Sequence, residues 1–146
     1  DSALRIDHLK PHCTSWQYYK GILEDRSSAS FAGRIFVEEH AQKTDAKQTN
    51  MNLLLSEHAH VETRPQLEIF ADDVKCTHGA TIGQIEPSQL FYLQARGISR
   101  DAARTLLVYA FANEVIAEVK HDELRRSLER ELVRRLPAGA MLRGLD

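Results

Sequence analysis

The chain has 146 residues and a formal net charge of −2, with 42% hydrophobic and 27% charged residues. These values are typical of a globular protein with a real core and exclude wholesale disorder, and the near-neutral charge gives no reason to expect nucleic-acid binding. No apolar run approaches the roughly 18 residues that span a bilayer, so no membrane segment is expected.

The N-terminal residues, from Asp1 to Arg5, contain neither a starting methionine nor the pattern of a signal peptide. We therefore expect a cytoplasmic protein and interpret the chain as part of a longer one. Its two cysteines are Cys13 and Cys76. Two thiols cannot supply the four thiolates of an ordinary iron–sulfur site, so a cluster held here would have to be shared with another chain.

Strand-like runs dominate residues 30–83, whereas no helical period settles in residues 1–29. The runs are short and bounded by polar or turn residues, and no helix-length amphipathic segment separates them, which argues against βαβ units. A weak internal similarity at an offset of nineteen residues suits a parallel β-helix, although a small sandwich stays open from the pattern alone. The runs are residues 31–37, 51–55, 60–70 with Pro65 as an interruption, and 74–81.

The pattern becomes helical at Pro87, a residue favoured in the first turn of a helix. A short helix is predicted over residues 88–96, and Gly97 fits its C-terminal end. Ser99 is the expected N-cap of a second helix, whose apolar residues recur at spacings of three and four. The inward residues expected are Leu90, Phe91 and Leu93 in the first helix, and Ala103, Leu106, Leu107, Ala110, Phe111, Val115 and Val119 in the second.

A third helix is predicted over residues 122–136, with acidic residues at its start and arginines at its end, as the helix dipole favours. Pro137 and Gly139 are expected to terminate it. One face carries a leucine every four residues: Leu124, Leu128, Leu132 and Leu136. The chain is therefore predicted to contain a β-rich domain over residues 1–85 and a helical domain over residues 86–146.

Cys76 and His78 are the strongest candidates for a metal site. Side chains at positions i and i+2 of a strand project from the same face, so both can reach one point. A thiolate and an imidazole suit iron, zinc or copper. From these residues alone, however, a buried thiol beside a hydrogen-bonded histidine is the commoner arrangement.

Other polar clusters are better explained without a ligand. His58, His60 and Glu62 share a strand face that we interpret as the solvated side of an edge strand. Asp72-Asp73 is interpreted as a turn, and neighbouring His12 and Cys13 diverge if the chain is extended. The charged face of the third helix is typical of solvated i,i+4 pairs, and the sequence contains no phosphate-binding P-loop.

A set of short motifs occurs along the chain in a specific order and at specific intervals, although each motif is weak alone. The motifs are residues 19–23 (YKGIL), 31–35 (FAGRI), 41–46 (AQKTDA), 52–56 (NLLLS), 65–69 (PQLEI), 71–81 (ADDVKCTHGAT), 90–93 (LFYL) and 96–98 (RGI). Together they resemble the SufB/SufD family of iron–sulfur cluster assembly proteins. The resemblance covers nearly the whole chain and is least diagnostic at residues 1–14 and 137–146.

The resemblance implies a mainly β fold with α-helices: a right-handed parallel β-helix followed by a small C-terminal helical domain. It also implies a non-catalytic scaffold that pairs with a SufB-like subunit near Cys76 and His78 and carries a SufC-like ATPase on its C-terminal helices. His78, and with less support Cys76, would be ligands of a transient iron–sulfur cluster, or of iron, shared with the partner subunit. No cofactor is expected in the isolated chain, for which a homodimer is a further expectation.

Within the family, the sequence from Cys76 to Thr81 resembles the SufD branch, because SufB typically has an acidic residue where this chain has Gly79. A SufB-like paralogue is the nearest alternative. A β-helix polysaccharide lyase or hydrolase is another, but no pair of carboxyl groups suited to glycosidic chemistry is readable here. A self-contained metal-binding β domain is the last alternative.

Overall fold

The computed structural model describes residues 1–136, which divide into a β unit, Asp1–Gly83, and a helical unit that begins at Gln84. No helix in these residues is long and apolar enough to cross a membrane. The β unit contains six strands in chain order: β1 (Ser2–His8), β2 (Thr14–Leu23), β3 (Ser28–Val37), β4 (Asp45–Leu54), β5 (His60–Ile69) and β6 (Lys75–Gly83).

The six strands form two three-stranded sheets, with the orders β1-β3-β5 and β2-β4-β6, and every pairing in them is parallel. Parallel neighbours within one sheet need a crossover of a dozen or more residues. Here the intervening strand of the other sheet supplies that crossover, so the turns between consecutive strands can be short. The prediction of stacked parallel strands is confirmed, and no antiparallel hairpin forms a main element of the described β unit.

The repeat of the structure is longer than the offset of nineteen residues at which the sequence shows its faint internal similarity. Ser2 pairs with Phe31 and Thr14 with Asp45, so one repeat comprises two strands and two turns, about 30 residues. The offset of nineteen residues corresponds to no strand pairing. The sequence does not show the structural repeat, because inward positions at equivalent places in consecutive repeats carry different residue types. Consecutive repeats therefore share few identical residues.

β1 and β2 lie in the segment where no element was predicted, and β4 begins at Asp45 although its apolar run begins only at Met51. Polar inward residues are the reason, because they remove the alternation of apolar and polar side chains by which a strand is recognised. In β2 these inward residues include Ser15 and Gln17. Pro65 does not interrupt β5, because β5 is an edge strand, where a missing N–H is tolerated.

Two apolar clusters form the core of the β unit. One is centred on Ile35, Val37, Ala41, Ala46 and Ala71. The other contains Leu23, Ala59 and Val61, with Ala29 and Leu54 packed against it. Strand β4 contributes Ala46 to the first cluster, and its Leu54 packs against the second. The buried residues of β4 between these two are Gln48, Asn50, Asn52 and Leu53, of which the first three are amides. A layer of amides therefore separates the two clusters.

The helical unit contains α1 (Pro87–Gln94), α2 (Arg100–Ile116) and α3 (Asp122–Arg135). The expected local signals are confirmed: Pro87 begins α1, Gly97 has a φ of +85°, and the Ser99 side chain accepts a hydrogen bond from the Ala102 amide. The left-handed backbone at Gly97 is one that glycine adopts without strain. Pro137 and Gly139, expected to end α3, lie outside the described residues.

The inward faces predicted for the helices are only partly correct. Phe91 is 74% exposed although it was expected to face inward, and Ala110 is exposed as well. In α2 the buried residues are Ala102, Ala103, Thr105 and Val108. No residue of α3 is buried; on its leucine face Leu124 and Leu128 are exposed, and Leu132 is half-buried. A period of 3.6 shows that a helix has an apolar side, but not whether anything packs on it.

Candidate functional site

The candidate site lies on β6, an edge strand whose other side is paired with β4. Cys76 lies beside Ala46 and His78 beside Gln48. Ala46 and Gln48 are buried inward residues, so Cys76 and His78 occupy the equivalent inward positions on the next strand of the stack. The structure thus places the two predicted site residues on one face, at the open edge of the sheet.

Cys76 is half-buried and packs against the cluster of Ile35 and Val37. Burial raises the pKa of its thiol, the Asp45 carboxylate adds to this rise, and a backbone hydrogen bond at Ala46 opposes it. A buried thiol is a weaker metal ligand at neutral pH, because ligation requires the thiolate. Cys76 is therefore partly a packing residue.

His78 has a different environment. It is exposed, and it makes no hydrogen bond or ion pair with any residue of the described range 1–136. Its neighbour along the stack is the amide of Gln48 instead of an apolar side chain. A neutral imidazole needs no deprotonation to bind a metal, so His78 is the more available donor of the two.

The amide layer under His78 is the feature that sequence reasoning missed. Gln17 and Gln48 are adjacent in register, and Gln48 Nε2 donates to Gln17 Oε1 over 2.7 Å. Further along β4, Asn52 Nδ2 donates to Asn50 Oδ1 over 2.7 Å. The signal in the sequence was the i, i+2 spacing of Gln48, Asn50 and Asn52, which puts all three on the face of Ala46.

Two glycines make room for these amides. A Cβ at Gly33 would overlap the Gln48 amide, and a Cβ at Gly21 would overlap the Asn52 side chain. Both glycines have ordinary negative φ values, so their role is to allow close approach, without any need for an unusual backbone conformation. The buried amides are thus closely packed against the backbone at these two glycines.

Within residues 1–136, no group of three or more histidine, cysteine or acidic side chains is placed to hold a metal ion. Cys76 and His78 supply one sulfur and one nitrogen donor, the types that iron accepts. Two donors on a strand edge fit part of a coordination sphere, and the remaining ligands would have to come from elsewhere.

The other polar residues behave as structural groups. His60 and Glu62 are exposed on the edge strand β5, where Glu62 binds Arg64, and His58 is exposed in the preceding turn. Asp72 and Asp73 lie in an exposed turn, and Asp73 pairs with Lys43. His12 has a left-handed backbone in a turn, and the Cys13 thiol contacts the Pro11 carbonyl.

The family model for "SUF system FeS cluster assembly, SufBD core domain" matches residues 1–111. The iron–sulfur cluster assembly protein SufD of Escherichia coli K12 is 45% identical over 96% of this chain and 33% of its own length. A SufBD family protein of Synechocystis is 42% identical over 87% of this chain and 28% of its own length. The chloroplastic protein ABCI7 of Arabidopsis thaliana is 44% identical over 85% and 26%. The chain thus spans a third or less of the length of these relatives.

Proposed function

This chain belongs to the SufB/SufD family of iron–sulfur cluster assembly proteins, and we propose that it is a non-catalytic, SufD-like scaffold unit that contributes ligands to a nascent cluster. The observation that carries this proposal is the pair Cys76 and His78, which lie together on the open edge of a sheet, where residues 1–136 supply too few further donors to complete a site. The cluster is the cargo of such a scaffold, and it is held jointly with a second subunit.

The fold that suits this role is a right-handed parallel β-helix. Successive strands alternate between two parallel sheets, and the repeat of about 30 residues matches one coil. In such a stack each coil needs a neighbour to bury its inward face. At the end formed by β5 and β6, that neighbour would be the partner subunit.

A SufB-like subunit is the partner we propose for this end. Along one edge of β6 no other strand of the described range pairs with the backbone, and Ile82 beside this edge is 50% exposed. An exposed strand edge is a template for pairing with another chain. Pairing there would bring the partner's side chains next to Cys76 and His78.

A SufC-like ATPase is the partner we propose for the helical unit. Apolar side chains on its surface remain uncovered by the described residues, and they include Phe91 and Tyr92 of α1 and Leu124 and Leu128 of α3. Exposed apolar side chains grouped on a surface in this way are typical of protein–protein contacts. The nucleotide would be bound by the ATPase, because this sequence has no P-loop. A cytoplasmic location belongs to the same proposal and agrees with two free cysteines.

The test of the site is complementation of a strain that lacks the native subunit, using the corresponding substitutions in the full-length protein. His78→Ala should sharply lower the activity of cluster-dependent enzymes while complex formation persists. Cys76→Ala should have a smaller effect, acting partly through packing. His60→Ala is the matched control, because His60 is an exposed histidine on the other edge strand. Full activity of His78→Ala in an intact complex would refute the assignment.

The partners are tested by co-purification. Removing residues 87–146 should abolish binding of the ATPase while the SufB-like subunit still binds. Equal ATPase binding by the β unit alone would contradict the docking proposal. Metal analysis of the isolated chain separates a shared site from a self-contained metal domain: stoichiometric tightly bound metal would favour the latter. No observation favours a polysaccharide lyase, and the family match is to assembly proteins.

A further inference from the structure

The buried amide of Gln48 has an unused acceptor. Gln48 is 1% exposed, and its Nε2 donates to Gln17 Oε1, but its Oε1 has no hydrogen-bond partner. A buried carbonyl oxygen without a partner costs stability, and native proteins rarely leave one unexplained. The acceptor therefore lacks a donor within the described residues, just as the neighbouring buried donor Gln17 Nε2 lacks an acceptor.

The position of Gln48 in the stack indicates which donor this is. Amide ladders in parallel sheets run along the stacking direction, so an amide that donates to one neighbour presents its oxygen toward the other. The neighbours of Gln48 in register are Gln17 on β2 and His78 on β6. Gln17 turns its Oε1 to Gln48, and its own Nε2, although buried and without a partner in the described residues, makes no hydrogen bond to Gln48 Oε1, so His78 is the neighbour left to donate to this oxygen.

The amide is also held in place from the opposite sheet. Gly33 of β3 lies against it, with no room for even a Cβ between them. This close approach and the hydrogen bond to Gln17 together fix the Gln48 side chain. The ring of His78, in contrast, is exposed and has no hydrogen bond to the described residues.

We propose that Gln48 is a positioning residue for His78, with Gln48 Oε1 accepting a hydrogen bond from one ring N–H of His78. The other ring nitrogen is then unprotonated and free to bind iron. Histidines that bind metals commonly donate their second ring N–H to an oxygen acceptor, which fixes the tautomer and the orientation of the ring. The inference rests on the proposed role of His78 as a ligand.

The hydrogen bond is tested by NMR on the full chain without metal, at a pH where the ring is neutral. The His78 ring N–H, identified by its loss in His78→Ala, should be protected from solvent exchange and visible in a ¹H–¹⁵N spectrum. Gln48→Met keeps the length of the side chain but removes the acceptor, so the signal should disappear. Gln48→Glu keeps an acceptor and should retain it. Asn50→Leu is the control, because Asn50 is an equally buried amide that lies beside Ala80.

The outcomes separate this inference from the proposed function. A visible His78 N–H that is unchanged in Gln48→Met, or one absent from the wild type, overturns the positioning role whatever His78 does in assembly. Loss of the signal in Gln48→Met but not in Asn50→Leu supports it. In the complementation assay, Gln48→Met should then lower assembly by about tenfold or more with complex formation intact, the range in which such supporting residues act. Unchanged assembly would contradict the functional part alone.

Discussion

Individual residues inside the β unit show that its interior is not a uniform apolar core. Gln17, Gln48, Asn50 and Asn52 are buried between two apolar clusters. Burying an amide is costly unless it is hydrogen-bonded, and the bonds between these amides offset part of that cost. Because each amide needs a defined position, even small substitutions at the residues around it should lower the stability of the β unit.

Gly33→Ala should lower the free energy of unfolding by about 1–3 kcal/mol, because the new methyl group would overlap the Gln48 amide. Gly79→Ala is the matched control, since a Cβ at Gly79 meets no atom within 4 Å and should have little effect. Urea unfolding followed by circular dichroism measures the difference. Equal stability of the two variants would show that the amide moves aside without cost.

The thiol of Cys76 should make stability depend on pH in the alkaline range. Its pKa is raised in the folded state, chiefly by burial, so the folded chain holds the proton more tightly than the unfolded chain. This contribution is complete below the unfolded pKa and is lost as pH rises through the folded pKa. Cys76→Ala should therefore lose less stability than the wild type over that interval, as measured by urea unfolding at each pH. If the stability of the wild type and of Cys76→Ala changed with pH in parallel, the prediction would be wrong.

At the scale of the element, α3 is stabilised by its own charges more than by burial. None of its residues is buried, acidic residues occupy its first turn and arginines its last. Glu131 accepts hydrogen bonds from Arg134 and Arg135 at distances of 2.7–2.8 Å, which lowers the pKa of Glu131 to about 2. Exposed pairs of this kind are individually weak and are screened by salt.

The helicity of α3 should fall at acid pH. The lowered pKa of Glu131 means that its contribution is present above the unfolded pKa and is lost as pH falls through about 2. Glu131→Gln should remove this part of the acid transition in circular dichroism at low salt. Glu129→Gln is the control, because Glu129 lies 3.9 Å from Arg125 and forms a weaker pair. The same acid profile in wild type and Glu131→Gln would contradict the prediction.

At the scale of the whole molecule, the two sheets end in strand edges that no strand within residues 1–136 pairs with. β5 and β6 lie at the same end of the stack, and Ile69, Phe70 and Ile82 are exposed there. Natural proteins usually protect such edges with charges, bulges or covering segments. The charges at this end are mostly on β5, whereas β6 has Lys75 as its one lysine, arginine or acidic residue, so the β6 edge beside Ile82 is the part suited to association.

The isolated chain should self-associate through this end, and a homodimer is the simplest product. Ile82→Lys places a charge on the β6 edge and should shift the population toward monomer in light scattering at high concentration. Leu124→Lys is the control for a charge at a comparably exposed apolar residue of α3. A strictly monomeric wild-type chain would argue against the open edge as an interface.

The sequence by itself determined the features that depend on neighbouring residues. Pro87, Gly97 and Ser99 locate the helix boundaries, because turns and caps involve side chains and backbone groups only a few residues apart. The alternation of strand side chains likewise puts Cys76 and His78 on one face without knowledge of the fold. The family resemblance, which rests on the order of short motifs, was also available at this level and is confirmed for residues 1–111.

Only the tertiary structure decided which residues meet across the repeat. The strands β1 and β2, the assignment of strands to two sheets and the burial of Gln48 all depend on partners about 30 residues away. A strand with polar side chains can be stable when buried, provided that backbone pairing and amide ladders supply its hydrogen bonds. No local sequence pattern shows whether those partners exist. The same long-range pairing places Cys76 on an apolar cluster and His78 on an amide, which gives two neighbouring residues different chemistry.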